Sequence, residues 1–151
     1  MRVLLQRVTS ADVRVLGETV GNIQGGMLIF LGIGTSDTTG EADWLAEKIA
    51  GLRIFPDETG RMNRSLLDIG GEALVVSQFT LYADCTEGRR PNFTQAAAPE
   101  LAEKLVEYFT ARMKRLGVVK IASGVFGASM EVSLLNQGPV TLWLEREAPA
   151  R

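Results

Sequence analysis

Residues 27–33 (MLIFLGI) form an uninterrupted apolar run with the length of one β-strand. A strand with one solvated face would alternate polar and apolar residues, so a continuous run indicates a strand that is covered on both faces. Residues 73–79 (ALVVSQF) begin with a second run of this kind. We expect the first run to lie centrally in a sheet and the second to be another buried strand.

Two amphipathic helices are predicted, one on each side of the second run. Between residues 41 and 52, and again between 99 and 116, apolar residues recur every three or four positions, the spacing of one helix face. Further strands are predicted at residues 2–8, 11–16, 20–23, 118–122, 129–135 and 140–145. This order predicts a single α/β domain over residues 1–151, with mixed strand directions and both helices against a sheet.

The chain has 151 residues and no histidine. Ser-His-Asp triads, Cys-His dyads and histidine metal ligands are therefore excluded, and catalysis must use backbone groups, hydroxyls, carboxylates or the substrate itself. The 16 Lys and Arg nearly balance the 18 Asp and Glu, which gives a net charge of −2. We expect no broad basic surface for DNA, although a local basic patch is compatible with this balance.

The location of the protein is predicted from its apolar runs and its cysteine content. No apolar run approaches the roughly 20 residues that cross a bilayer, and the N-terminal residues turn polar too early for a signal peptide. The single cysteine, Cys85, cannot form an intrachain disulfide, which agrees with a reducing compartment. We therefore expect a cytoplasmic protein with no membrane partner.

Residues 32–36 (GIGTS) follow a strand and precede a helix, as a phosphate-binding loop does. However, Asp37 occupies the position of the third glycine of the dinucleotide fingerprint, and no lysine follows as in a P-loop, so a plain turn with helix capping is favoured. Cys85 has no histidine to activate it and is expected to be inert. The carboxylates show no paired set, so neither a metal site nor a cofactor is predicted.

Hydroxyl and basic side chains leave two interpretations open. Ser77 and Thr80 end a strand, where a hydroxyl is either a nucleophile or a turn-capping group, and the absence of a visible base favours capping. Basic residues follow this motif and surround the end of the second helix: Arg89, Arg90, Arg112, Lys114, Arg115 and Lys120. They form either a solvated face or, near a substrate pocket, phosphate contacts.

Several long motifs, taken in order, closely resemble the D-aminoacyl-tRNA deacylase family, which removes wrongly attached D-amino acids from tRNA. They are residues 6–8 (QRV), 55–63 (FPDETGRMN), 76–84 (VSQFTLYAD), 88–91 (GRRP), 126–130 (FGASM) and 136–141 (NQGPVT). The SQFTL segment is kept, which resembles the D-specific branch and not a second tRNA-editing branch of the same fold. Residues 85–87 (CTE) depart from the more basic run of many relatives, which implies weaker phosphate steering there.

The resemblance implies a three-layer α/β/β fold and a homodimer with its pockets at the interface. Gly138 and Pro139, joined by a cis bond in the family, are implied to form a chiral selector that enters the pocket of the partner subunit, with Arg7 bracing it. The receiving pocket is implied to consist of Ser77, Gln78, Phe79, Thr80 and Leu81. Phe126 and Met130 are implied to form an apolar wall near the terminal adenosine of the tRNA acceptor end.

The resemblance also implies that the enzyme selects D-aminoacyl substrates by excluding L-amino acids from its pocket. Two rigid carbonyl oxygens hold the α-amino group of the substrate and leave no volume for a side chain of L configuration. Glycine has no side chain to reject, so glycine misattached to tRNA for alanine is an expected second substrate.

For ester cleavage, we expect the Phe79 and Thr80 backbone amides to stabilise the oxyanion, with water or the ribose 2′-hydroxyl attacking. The rival hypothesis is covalent catalysis by Thr80. Two other functions stay open at this point, a non-catalytic module that binds RNA ends and a general small-ester hydrolase.

Overall fold

The computed structural model describes residues 1–149. Its strands are, in chain order, β1 (Arg2–Val15), β2 (Glu18–Ile23), β3 (Gly26–Gly32), β4 (Phe55–Pro56), β5 (Met62–Arg64), β6 (Glu72–Ser77), β7 (Ile121–Ser123) and β8 (Glu131–Glu145). Its helices are α1 (Thr39–Gly51), α2 (Leu66–Ile69) and α3 (Pro99–Arg115). A 3₁₀ turn at Phe79–Tyr82, called the 79–82 turn below, follows β6.

Six strands form one nearly closed sheet. Their order is β2-β1-β3-β6-β7, and β8 pairs with β1. The β3–β6 and β6–β7 pairs are parallel, whereas β1 is antiparallel to all three of its partners. A Cβ atom on Gly21 in β2 would lie 2.7 Å from the carbonyl oxygen of Ser123 in β7, so the two ends of the sheet nearly meet. The predicted mixed strand directions are confirmed.

Strand β3 is buried on both faces, as its continuous apolar sequence predicts. Met27, Ile29 and Leu31 lie in the core beneath α1 and α3. Leu28 points to the opposite face and lies in a second core with residues of β1, β2 and β6. Successive side chains of a strand alternate between its faces, so one strand serves both cores. The result is one helical layer over two β layers.

The two long helices begin and end where their sequences indicate. Thr38 caps α1 by accepting from the Gly40 N–H at 3.1 Å, while the Glu41 carboxylate accepts from the Thr38 N–H at 2.8 Å. Pro99 opens α3, and Gly117 follows its end with φ of +106°, a conformation that L side chains rarely adopt. No helix within residues 1–149 is long and apolar enough to span a membrane.

The structure differs from the sequence prediction in four places, of which one is β7, which covers Ile121–Ser123 and not the predicted residues 118–122. The strands expected at 2–8 and 11–16 form the single strand β1, and those expected at 129–135 and 140–145 form β8. The pairing of β1 with β8 shifts register near Val8. These shifts explain why each strand has an irregular sequence pattern that predicts two shorter strands. The polar stretch at 56–64 contains most of the small β4–β5 hairpin, and the short helix α2 follows it.

Candidate functional site

The 79–82 turn is fixed to the end of the central sheet by backbone hydrogen bonds. The Gln78 N–H donates to the Leu31 carbonyl at 2.8 Å, which extends the β3–β6 pairing by one residue. The Leu81 N–H then donates back to the Gln78 carbonyl at 3.2 Å and closes the turn. The motif that ends β6 therefore leaves the sheet in a fixed geometry.

Two backbone N–H groups of this turn have no acceptor. Within residues 1–149, neither the Phe79 nor the Thr80 N–H donates a hydrogen bond. The first N–H groups of any helix lack internal partners, and they attract negative charge. Both residues are exposed.

The Thr80 hydroxyl has a polar neighbour but no base. The Gln78 side-chain amide donates to Thr80 Oγ1. No carboxylate or amine within residues 1–149 forms a hydrogen bond with this hydroxyl. Thr80 therefore lacks the activating partner that a nucleophilic hydroxyl needs.

Glycines in and after β3 allow the turn to lie directly on the sheet. A Cβ atom on Gly32 would lie 3.0 Å from the Gln78 carbonyl oxygen and 3.1 Å from Leu81 Cβ. A Cβ atom on Gly34 would lie 2.7 Å from Tyr82 Oη. The 79–82 turn thus packs directly against the glycine-containing stretch at 32–36. This packing agrees with the favoured interpretation of residues 32–36 as a plain turn before the capped helix α1.

Asp37 holds the base of the turn from beneath. Its buried carboxylate accepts from the Gly34 N–H at 2.6 Å and from the Met1 amino group at 2.7 Å. The Tyr82 hydroxyl donates to the same carboxylate at 3.5 Å. Burial, together with the negative charge of Asp37, raises the pKa of Tyr82 well above its usual value, so this hydroxyl remains a neutral donor.

Arg2 contacts the last two residues of the turn, Leu81 and Tyr82. Its guanidinium donates to the Leu81 carbonyl at 3.1 Å and to the Glu145 carboxylate at 2.8 Å. It also stacks 4.4 Å from the centroid of the Tyr82 ring. The hydrogen bond from Arg2 lowers the pKa of Glu145 below its usual value.

An apolar cavity of about 590 Å³ opens beside the turn. Ser77, Gln78 and Phe79 line one side, and Phe126 and Met130 also line it. The Phe79 ring is 56% exposed and meets the edge of the Phe93 ring, with 5.1 Å between centroids. Thr80 and Leu81 do not line this cavity, so of the five motif residues only the first three form its wall.

Gly138 and Pro139 lie on β8, exposed, and the peptide bond between them is cis. Arg7, only 7% exposed, donates to the carbonyls of Gln137 at 3.3 Å and Gly138 at 3.4 Å. It also donates to the Ile54 carbonyl at 2.6 Å. The Asn136 amide donates to the Arg7 and Val140 carbonyls, both at 3.0 Å, and ties the segment to β1.

The structure does not bring the two motifs together within one chain. Neither Gly138 nor Pro139 lines the cavity beside the 79–82 turn. Their strand is separated from β6 by β1 and β3, which is three strand spacings, or about 14 Å measured along the sheet. The selector and the pocket expected from the resemblance are thus distinct places on the chain.

The remaining sequence candidates fall outside this cavity. Arg89, Arg90 and Cys85 are exposed in the loop after the turn. No group of three or more His, Cys, Asp or Glu in the described part of the chain is placed to bind a metal.

The sequence patterns indicate no role for Arg2 or Asn136, and they mark Asp37 and Gly32 only as parts of a glycine loop. One local feature of the sequence distinguishes Asp37: it stands at the position where the dinucleotide fingerprint has its third glycine.

Comparisons with known proteins show which protein family this chain resembles. A family model described as D-Tyr-tRNA(Tyr) deacylase matches residues 4–145. A protein of Roseiflexus castenholzii named D-aminoacyl-tRNA deacylase is 59% identical over 145 residues, covering 96% of this chain and 92% of its own length. A Desulfatibacillum aliphaticivorans protein of the same name is 58% identical, covering 96% and 99%.

Two solved structures share the fold. One, titled c-Myc DNA Unwinding Element Binding Protein, superposes with a TM-score of 0.92 at 39% identity and covers 98% of this chain and 100% of its own. The other is titled as a structural analysis of a probable eukaryotic D-amino acid tRNA deacylase. It has a TM-score of 0.81 at 18% identity, covers 95% and 97%, and supports the likeness of fold alone.

Proposed function

This chain belongs to the D-Tyr-tRNA(Tyr) deacylase family, and we propose that it hydrolyses the ester bond between a D-amino acid and the 3′ end of tRNA in the cytoplasm. The products are free tRNA and the D-amino acid. The observation that carries this proposal is the 79–82 turn, whose first two N–H groups lack partners and whose first residue, Phe79, lines an apolar cavity. The family membership supplies the substrate class.

The turn can stabilise the transition state of ester hydrolysis without a side-chain base. As water or the ribose 2′-hydroxyl attacks the ester carbonyl, negative charge develops on its oxygen, and the Phe79 and Thr80 N–H groups donate to it. An aminoacyl ester is already activated, so positioning and these donors supply most of the acceleration. The glycines beneath the turn and Arg2 at its end keep the donors in place.

A proline substitution tests the backbone donors directly. Phe79→Pro removes the N–H, and the fold should tolerate it because this is the first position of the turn and the N–H is unbonded. Phe79→Ala removes the same ring but keeps the N–H, so it is the matched control. We expect kcat on D-Tyr-tRNA to fall about 100-fold further in the proline variant than in the alanine variant. Equal rates would remove the oxyanion role of this amide.

Thr80→Ala distinguishes the two catalytic hypotheses. Near-normal turnover is expected, because the hydroxyl has no activating base. A loss of several orders of magnitude with unchanged substrate binding would instead support covalent catalysis by Thr80.

We further propose that the protein acts as a homodimer in which each Gly138–Pro139 segment enters the pocket of the partner subunit. Two observations support this arrangement. The segment is exposed and does not line the cavity of its own chain. The same strand also exposes large apolar side chains, with Leu135 at 63% and Trp143 at 50%, which a second subunit would cover.

Mixing two inactive variants tests the exchange between subunits. One carries Gly138→Ala with Pro139→Ala, and the other carries Phe79→Pro. After random re-pairing, about half of the dimers are hybrids with one intact composite site each, so about a quarter of the wild-type activity should return. No recovery, despite hybrid dimers seen by native mass spectrometry, would place selector and pocket in one chain.

The stereochemical proposal is that the segment rejects L side chains and admits D-amino acids and glycine. Incubation with D-Tyr-tRNA, L-Tyr-tRNA and glycine mischarged on tRNA for alanine tests it. Release from the D and glycyl forms alone is expected. Release from the L form at a similar rate indicates a nonspecific esterase, and no release from any form indicates a binding module.

A further inference from the structure

A second cavity, of about 710 Å³, adjoins the first between α3 and β7. Ser77, Val106 and Phe126 line both cavities, so the two meet at these side chains. Its volume lies within the roughly 300–1,000 Å³ typical of small-ligand pockets. The proposed ester hydrolysis involves only the first cavity, so the second cavity has no role in it.

Lysines line one end of this second cavity. Lys114, from the last turn of α3, and Lys120, before β7, both contribute to its wall. The Lys114 ammonium makes no ion pair or hydrogen bond with any residue in the range 1–149. Lys120 is partly engaged, at 3.7 Å from the Glu72 carboxylate and 3.4 Å from Asn22 Oδ1.

The neighbouring cations of α3 are occupied elsewhere. Arg112 pairs with the carboxylates of Asp43 at 3.1 Å and Glu47 at 2.5 Å. The Arg115 guanidinium lies 5.8 Å from the centroid of the Tyr108 ring. Lys114 is thus the basic residue near this helix end that lines a cavity and has no ion pair or hydrogen bond within residues 1–149.

We propose that this second cavity receives the nucleotide that precedes the terminal adenosine of the tRNA, with its phosphodiester at Lys114 and Lys120. The inference rests on the proposed function, in which the first cavity holds the aminoacylated adenosine. The single-stranded tRNA end continues from that adenosine without a break, and the shared walls give the preceding nucleotide a direct path from the first cavity into the second. Val119, which is 69% exposed, offers apolar surface to the base, and lysines are common phosphate ligands.

The acidic residues of the cavity give the strand a direction. Glu103 and Glu107 line it from the earlier turns of α3. Glu107 precedes Lys114 by seven residues, which is about 10 Å along a helix. A phosphate is repelled from the glutamate end and attracted to the lysine end, so the strand runs toward the C-terminal end of α3.

Short substrates isolate this contact. The rates of hydrolysis are compared for the 3′ D-tyrosyl ester of adenosine, the same ester of the dinucleotide CpA, and D-Tyr-tRNA. In the wild type we expect kcat/KM to be about tenfold higher for the dinucleotide than for the nucleoside, the size of one charge-assisted hydrogen bond. Lys114→Gln should abolish this preference and leave hydrolysis of the adenosine ester unchanged.

Lys104→Gln is the matched control. Lys104 is exposed on the same helix, lies outside both cavities, and its substitution changes the net charge equally. The control should retain the dinucleotide preference. On D-Tyr-tRNA, Lys114→Gln should also reduce the slope of log kcat/KM against log salt by about 0.7, the loss of one phosphate contact to a single strand.

Three outcomes overturn the inference: a Lys114→Gln variant that still prefers the dinucleotide, one that loses activity equally on both short esters, or a wild type that does not distinguish them. Failure of the proposed function is visible separately, because the wild type would then hydrolyse no D-tyrosyl ester.

Discussion

The 79–82 turn and the Gly138–Pro139 segment are both held rigidly, but in opposite ways. The turn lies on buried glycine backbone, with Asp37 beneath it and Arg2 at its end. The segment is exposed and is held from behind by Arg7 and Asn136. The turn keeps two unbonded N–H donors, and its first residue lines a cavity, whereas the segment does not line that cavity. Each region is therefore a rigid, exposed feature, and in our proposal the partner of each lies outside its own chain.

The strongest test of this comparison removes the brace of the segment. Arg7→Ala leaves three backbone carbonyls without their donor, and the Ile54 carbonyl is among them. We expect about 3 kcal/mol of lost stability and at least a 100-fold lower kcat/KM on D-Tyr-tRNA. Thermal unfolding and single-turnover hydrolysis measure the two effects.

Arg14→Ala on the same strand is its control, because within residues 1–149 Arg14 pairs only with Asp12, at an exposed position. Hydrolysis that survives in Arg7→Ala would mean that the segment needs no brace.

The next test weakens the foundation of the turn. Asp37→Ala leaves the Gly34 N–H and the Met1 amino group without their buried acceptor. The expected loss of unfolding free energy is about 2 kcal/mol, measured by urea denaturation. Asp12→Ala, at a more exposed ion pair, should cost less than about 1 kcal/mol. Equal losses would show that the turn does not depend on Asp37.

A methyl group beneath the turn sharpens the comparison further. In Gly32→Ala the new Cβ atom lies 3.0 Å from the Gln78 carbonyl oxygen, so the turn must shift by a few tenths of an ångström. We expect kcat to fall about tenfold, because oxyanion donors act over a narrow range of distance. Gly25→Ala meets no atom within 4 Å and should keep normal kcat. Identical rates for both variants would contradict the placement of the donors.

The smallest effect concerns pH. The Arg2 hydrogen bond lowers the pKa of Glu145 from its usual value of 4.5 in the folded protein. The folded state therefore gains stability above pH 4.5, and this gain is lost as the pH falls through the lowered pKa. The free energy of unfolding from urea denaturation should decline less below pH 4.5 in Glu145→Gln than in the wild type, by under about 1 kcal/mol. A parallel decline would assign the acid sensitivity to other carboxylates.

The sequence predicts the layers of this fold well, because burial on both faces leaves a continuous apolar run at 27–33 and helical spacing marks α1 and α3. It fails at the β4–β5 hairpin, whose strands of two and three residues are too short to show a period. It also splits β1 and β8, because register shifts interrupt their patterns without ending the strands.

The candidate site is only partly visible in the sequence. The resemblance marks Ser77, Gln78 and Phe79, which line the cavity, but the residues that support the turn are brought to it by the fold. Arg2 and Leu81 are 79 positions apart, and no local pattern links them. Likewise, the sequence groups Arg112 with Lys114, whereas only the tertiary contacts show that the first is paired and the second is not.

The proposed oxyanion donors are backbone amides, and this has a consequence for detecting the site by chemical labelling. An amide neither titrates in the working pH range nor forms adducts with the electrophiles that trap activated serine or cysteine. Fluorophosphonate or iodoacetamide probes should therefore leave the 79–82 turn unmarked even in the absence of substrate, and iodoacetamide would react instead with the exposed thiol of Cys85 in the neighbouring loop.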